Sequence, residues 1–155
     1  MQNKFEAIFT ELNNFIQEKN QEAPGLGVPL LPKQSIKIIG QTVLVLADLP
    51  FPVEMTLGLD VISPLNPFVQ KQVSDLLIKE GMYLEADGHL VWMPRNTSYE
   101  KIFDSLLVEV LVADVESVLA SKYKFKRPKD QKLIQTFFNY FPEKIELIKK
   151  KVEWN

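Results

Sequence analysis

A chain of 155 residues, 46% hydrophobic and 25% charged, has the composition of one globular domain spanning 1–155, large enough to bury roughly two-thirds of the surface that its unfolded form exposes. With no cysteine there is no disulfide, no thiolate nucleophile and no cysteine zinc site, and a single histidine, His89, excludes a His-rich metal centre. A net charge of −2 excludes a surface built throughout for nucleic acid and leaves only a local basic patch for that role; without an apolar leader or a run as long as a membrane span, the expectation is a cytoplasmic protein with no membrane partner.

Apolar side chains recur at Phe5, Ile8, Phe9, Leu12, Phe15 and Ile16, the stripe of an amphipathic helix. The segment 21–33 holds Pro24, Gly25, Gly27, Pro29 and Pro32 and reads as an irregular surface connection. Ile36 to Ile39 has the β-branched composition of a strand, and Gly40 permits a tight turn into 41–49, an apolar run that suits either helix or strand. Beyond Pro50 and Pro52 a short strand is expected over 57–62. A helix follows over 68–79, with Val69, Val73, Leu76 and Leu77 inward and Gly81 at its C-terminal cap.

Two apolar runs, 82–85 and 90–93, flank Ala86-Asp87-Gly88-His89, and Asp-Gly between such runs predicts a β-hairpin with His89 exposed in its turn. A further strand is expected over 107–112, after which Asp114 caps a helix through Val115, Val118, Leu119 and Lys122. Pro128 opens another helix with Leu133, Ile134, Phe137 and Phe138 inward and Tyr140 outward, and Pro142 begins the last, which ends in Lys149-Lys150-Lys151. The predicted fold class is α+β, a small mixed sheet with packed helices.

The run Ile38-Ile39-Gly40-Gln41-Thr42-Val43-Leu44-Val45-Leu46, followed after a proline-containing loop by Met55-Thr56-Leu57-Gly58-Leu59-Asp60-Val61, resembles the nucleotidyltransferase fold, in particular the AbiEii toxin-like and minimal nucleotidyltransferase proteins. A second likeness lies in Val112 to Lys122 and Arg127-Pro128-Lys129-Asp130, where relatives carry an acidic cap, a helix with one Lys, and a Lys-Asp or Arg-Asp pair opening the next helix. The two regions cover roughly half of the chain in the family's order. Relatives read Gly-Gly or Gly-Ser at the turn and Arg-x-Thr-x-Asp-hydrophobic-Asp on the strand. Here Gln41, Glu54 and Gly58 stand at the second turn position, the Arg position and the first Asp position, so that of the strand's carboxylate pair only Asp60 remains.

That departure bears on the chemistry. Two carboxylates one residue apart on a strand share a face and, with a third from a neighbouring strand, hold two metal ions about 3.5–4 Å apart for in-line phosphoryl displacement. The third is expected on 90–93, which contains none; Glu85, Asp87 and Glu109 are nearby in sequence, with nothing in the pattern to place them. The resemblance therefore implies a divergent, catalytically impaired nucleotidyltransferase-like protein of bacterial type. It would bind a nucleotide through Gly40, Gln41, Thr42 and Lys122, with Asp60 as the catalytic carboxylate and Mg²⁺ ligand. The alternative is a non-catalytic module on the same fold that binds a protein partner, such as one half of a toxin-antitoxin-type pair.

Lys122, Lys124, Lys126, Arg127, Lys129 and Lys132, interleaved with Tyr123 and Phe125, form the most basic stretch, suited to phosphates, although lysines near a helix C-terminus are favoured by the macrodipole without any ligand. Lys122 shares the face of Val115, Val118 and Leu119. It is expected to reach into the cleft toward water or a carboxylate such as Asp60, while Lys124, Lys126 and Lys129 spread into solvent.

Overall fold

The computed structural model describes residues 2–153. Among them the chain runs α1 (Gln2–Leu26), β1 (Gln34–Ile39), α2 (Gln41–Leu46), β2 (Gly58–Val61), α3 (Pro67–Lys79), β3 (Tyr83–Leu84), β4 (Tyr99–Asp104), β5 (Val108–Ala113), α4 (Val115–Phe125), α5 (Pro128–Tyr140) and α6 (Ile145–Glu153), with single 3-10 turns at Gly88–Leu90 and Pro142–Lys144. The fold is α+β around one mixed sheet of strand order β3-β2-β1-β5-β4. β1 runs parallel to β5 and antiparallel to β2, β3 is parallel to β2, and β4 antiparallel to β5. Among the described residues no helix is long and apolar enough to cross a membrane.

In the middle of the sheet, Ile38 and Ile39 point to opposite faces and both are fully buried, so β1 is covered on both sides. α1 packs on α3 and β5, while α4 packs on α2, α5 and α6. The apolar stripe of α1 is buried as its spacing predicts, at Phe5, Ile8, Phe9, Leu12 and Ile16.

Two expectations are corrected. Residues 21–26 are helical rather than irregular: α1 continues through Pro24, which forgoes the bond its N–H would give to the Asn20 carbonyl, and Ala23 is buried there. Gly27, at φ 67°, then ends the helix, with Val28 N–H donating to the Ala23 carbonyl. The predicted hairpin over 82–93 does not form either. Tyr83–Leu84 pairs parallel with β2 through the α3 crossover, and 88–90 is a 3-10 turn rather than the start of a returning strand. Gly88 is needed for a different reason: a Cβ there would meet the Val61 backbone nitrogen at 2.8 Å and its carbonyl oxygen at 2.9 Å. The Asp-Gly signal thus marks a close backbone approach to β2. β4, an edge strand with three charged side chains and a register shift between Lys101 and Phe103, is not foreseen from the sequence.

Candidate functional site

The order β1, tight turn, α2, loop, β2 brings the turn beside the end of the second strand. Ile39 pairs with Asp60 across the β1–β2 ladder, so Gly40, one residue on, lies against the Asp60 side chain. Gly40 has φ 78° and ψ −156°, a conformation almost confined to glycine, and a Cβ there would lie 2.6 Å from Asp60 Oδ2. The residue is dictated twice, by the backbone and by the carboxylate.

Asp60 is half-buried, and its pKa is raised above the ordinary value, first by burial and then by the charge of Glu85, against the opposing pull of Lys122, Arg127 and Lys129. Glu85 follows β3, tied to β2 by its backbone N–H donating to the Leu59 carbonyl at 2.9 Å. Its side chain occupies the space above Gly58, where a Cβ would collide with Glu85 Oε1 and lie 3.0 Å from Tyr83 Cζ. The Tyr83 hydroxyl hydrogen-bonds to Glu85, which pushes the tyrosine pKa up. The strand position that lacks a carboxylate is therefore covered by one from just beyond the neighbouring strand.

Lys122 reaches the same cleft but pairs with a different carboxylate from the one expected. Its ammonium lies 2.9 Å from Asp130 Oδ1, with the residues 8% and 4% exposed, and Arg127 Nε approaches Asp130 Oδ2 at 3.3 Å. The local cause is the two-residue link between α4 and α5. Asp114 caps α4 by accepting from Ser117 N–H at 3.0 Å, Lys126 takes the left-handed conformation at φ 47°, and Pro128 starts α5, which sets Asp130 in its first turn beside Lys122. Lys124 lies over the Trp92 ring at 3.9 Å and Lys126 over Tyr123 at 5.1 Å. Lys129 is exposed, as expected, and also borders the cleft, because the first turn of α5 faces it.

The cleft encloses about 660 Å³. Its walls carry five carboxylates, from Glu54, Asp60, Glu85, Asp87 and Asp130, and four cations, from Lys122, Arg127, Lys129 and Lys132. Gly40 and Gln41 line it too, though the Gln41 side-chain amide donates to the Glu54 carbonyl at 2.8 Å and so holds the α2–β2 loop. Thr42 is 3% exposed and lies outside the lining, and His89 is on the surface. Glu85 and Asp87 are the cleft carboxylates that the sequence pattern left unplaced, whereas Glu109 pairs with Lys101 at 3.0 Å away from the site. The one signal that pointed to Glu85 was Gly58, since a glycine inside a strand marks a close approach by another group.

Among the described residues no group of three or more His, Cys, Asp or Glu side chains is disposed to hold a metal ion. Two carboxylates, Asp60 on β2 and Glu85 just beyond β3, remain, and one or two carboxylates completed by water and substrate phosphates is the usual setting of Mg²⁺. No family model, curated protein or solved structure matches this chain.

Proposed function

We propose that the chain is a divergent, catalytically impaired nucleotidyltransferase-like protein that binds a nucleotide together with Mg²⁺ in the cleft between the β1–β2 end of the sheet and α5. The observation that carries this reading is the packing of Asp60 against the Gly40 turn, opposite a wall of cations. On one side Asp60 and Glu85 offer the hard oxygen ligands that suit Mg²⁺; on the other, Arg127 and Lys129 offer the charge that suits phosphates. Bound there, Mg²⁺ would neutralise phosphate charge. Gly40 and Gln41 border the same space, and Lys122, held by Asp130, contributes charge from a fixed position rather than a mobile arm.

The impairment follows from ligand number. Two-metal transfer needs carboxylates enough to fix two ions, and Gly58 leaves Asp60 without its partner on the strand. Incubation of the purified chain with α-labelled nucleoside triphosphates, Mg²⁺ and its own hydroxyl-bearing side chains as acceptors is expected to yield no labelled protein, although nucleotide binds. Robust Mg²⁺-dependent labelling lost in Asp60→Ala would overturn the impaired reading.

A second reading, a module that binds a protein partner, draws on an uncharged stretch at the end of α1. Leu26, Val28 and Leu30 are 70%, 51% and 62% exposed there. It is compatible with nucleotide binding, because none of these residues lines the cleft.

A further inference from the structure

We propose that Arg127 is the residue by which the cleft recognises phosphate: the two terminal nitrogens of its guanidinium take two non-bridging oxygens of one phosphoryl group, and Asp130 is the positioning residue that holds the guanidinium for them. This rests on the reading of the cleft as a nucleotide site.

The arrangement follows from how the buried Asp130 divides its two oxygens. Oδ1 takes the Lys122 ammonium at 2.9 Å, and Oδ2 takes the Arg127 Nε at 3.3 Å. With Oδ1 already occupied, Asp130 has no second oxygen for a side-on pair, in which Nε and a terminal nitrogen would bind one carboxylate together. Arg127 is therefore held by a single bond at the inner edge of its fork, and its terminal nitrogens keep all their N–H donors. Among the described residues no other hydrogen bond or ion pair engages the guanidinium. The side chain is 56% exposed and borders the cleft, which leaves those donors open to a ligand.

The other cations of the cleft lack this combination. Lys122 is buried and its charge is spent on Asp130. Lys129 and Lys132 are exposed on flexible stems, and an ammonium is a point charge without a planar fork. A guanidinium already tied at Nε has given up part of the rotamer freedom that binding would otherwise take from it, and its end-on fork matches two oxygens of one phosphate. Arg127 also acts electrostatically on Asp60, which puts the fork and the Mg²⁺-suited carboxylate in one field.

The chain has two arginines, Arg95 and Arg127, and Arg95 is exposed outside the cleft, an internal control for each measurement. In calorimetric titrations of the full chain with ATP and Mg²⁺, Arg127→Lys keeps the charge but loses the fork. It is expected to weaken binding about tenfold or more, the share of one charge-assisted hydrogen bond, whereas Arg95→Lys should leave binding unchanged. Asp130→Asn keeps an oxygen for Lys122 but presents an amide N–H to the Arg127 Nε, donor against donor. In that background Arg127→Lys should cost little, because the guanidinium has already lost its hold; a merely structural Asp130 would leave the Arg127→Lys loss at full size. Independently of any variant, ¹⁵N-arginine spectra should show the terminal-nitrogen signals of Arg127 shifting with ATP and Mg²⁺ while those of Arg95 stay fixed. Undiminished binding by Arg127→Lys, an equal Arg127→Lys loss in both backgrounds, or an Arg127 spectrum unchanged at saturation would overturn the proposal while leaving nucleotide binding in place. Failure of the parent chain to bind ATP, GTP, CTP or UTP with Mg²⁺ would instead remove the nucleotide reading, and this inference with it.

Discussion

Replacing Gly40 by alanine separates the two demands placed on that residue. Its backbone, at φ 78° and ψ −156°, costs a residue with a side chain on the order of 1–3 kcal/mol. The added methyl would also lie 2.6 Å from Asp60 Oδ2, an overlap relieved by turning the carboxylate off its preferred rotamer for a further ~0.5–1.5 kcal/mol. Urea denaturation should therefore show a loss of about 1.5–4.5 kcal/mol by the sum of these terms. Gly81 supplies the control, since it too has positive φ, 75°, but a methyl there meets nothing within 4 Å. Gly81→Ala should report backbone strain alone. In an Asp60→Ala background the carboxylate is gone and only the Cβ, 3.5 Å away, remains beside the new methyl, so the second part of the Gly40→Ala penalty should vanish. Additive losses for Gly40→Ala and Asp60→Ala would refute the packing of the turn against this carboxylate.

Because burial and Glu85 raise the Asp60 pKa, its ionisation opposes folding: the stability present below the ordinary aspartate value of 3.8 is lost as pH rises through the higher folded value. Asp60→Asn should therefore be more stable than the parent at pH 7, a gain that fades on acidification below about 3.8, measured by urea unfolding across pH. Asp130→Ala leaves the Lys122 ammonium buried without its partner and should cost about 3–5 kcal/mol in the same assay; Lys122→Met, which leaves Arg127 on Asp130, should cost less, about 1.5–3 kcal/mol. In nucleotide titrations Lys129→Met should weaken binding while Lys126→Met, seated over Tyr123 outside the cleft, should not; equal losses would mean that the basic stretch acts only as a diffuse field.

What the sequence made legible was local. The α1 stripe, the Gly40 turn, the helix over 68–79 with Gly81 after it and the Asp114 cap each rest on a short-range signal, an apolar period or a residue with one conformational use, and each is present. The site depended on long-range neighbours, where pattern is silent. Asp60 and Gly40 were found together because one strand register joins them. Glu85 was missed because its place above Gly58 depends on β3 pairing parallel to β2, while Asp-Gly suggested an antiparallel return. Lys122 was correctly turned inward by the apolar face it shares, but its partner lies eight residues on, across a helix link whose angle no periodicity encodes. That Lys129, solvent-exposed as expected, also borders the cleft was not legible for the same reason: it belongs to the first turn of a helix whose direction the link decides.

The central claim is that carboxylates and cations face each other across one cleft, and it has a direct thermodynamic consequence. With five carboxylates against four cations, the cleft has no excess positive charge for a bare triphosphate, nor enough clustered carboxylates to hold Mg²⁺ by itself. Calorimetric titration of the full chain with Mg²⁺ alone, ATP with chelator, and ATP with Mg²⁺ should accordingly give binding only for the third, and Asp60→Asn should weaken it. ATP binding equally well in the presence of chelator, or no binding under any of the three conditions, would contradict the account.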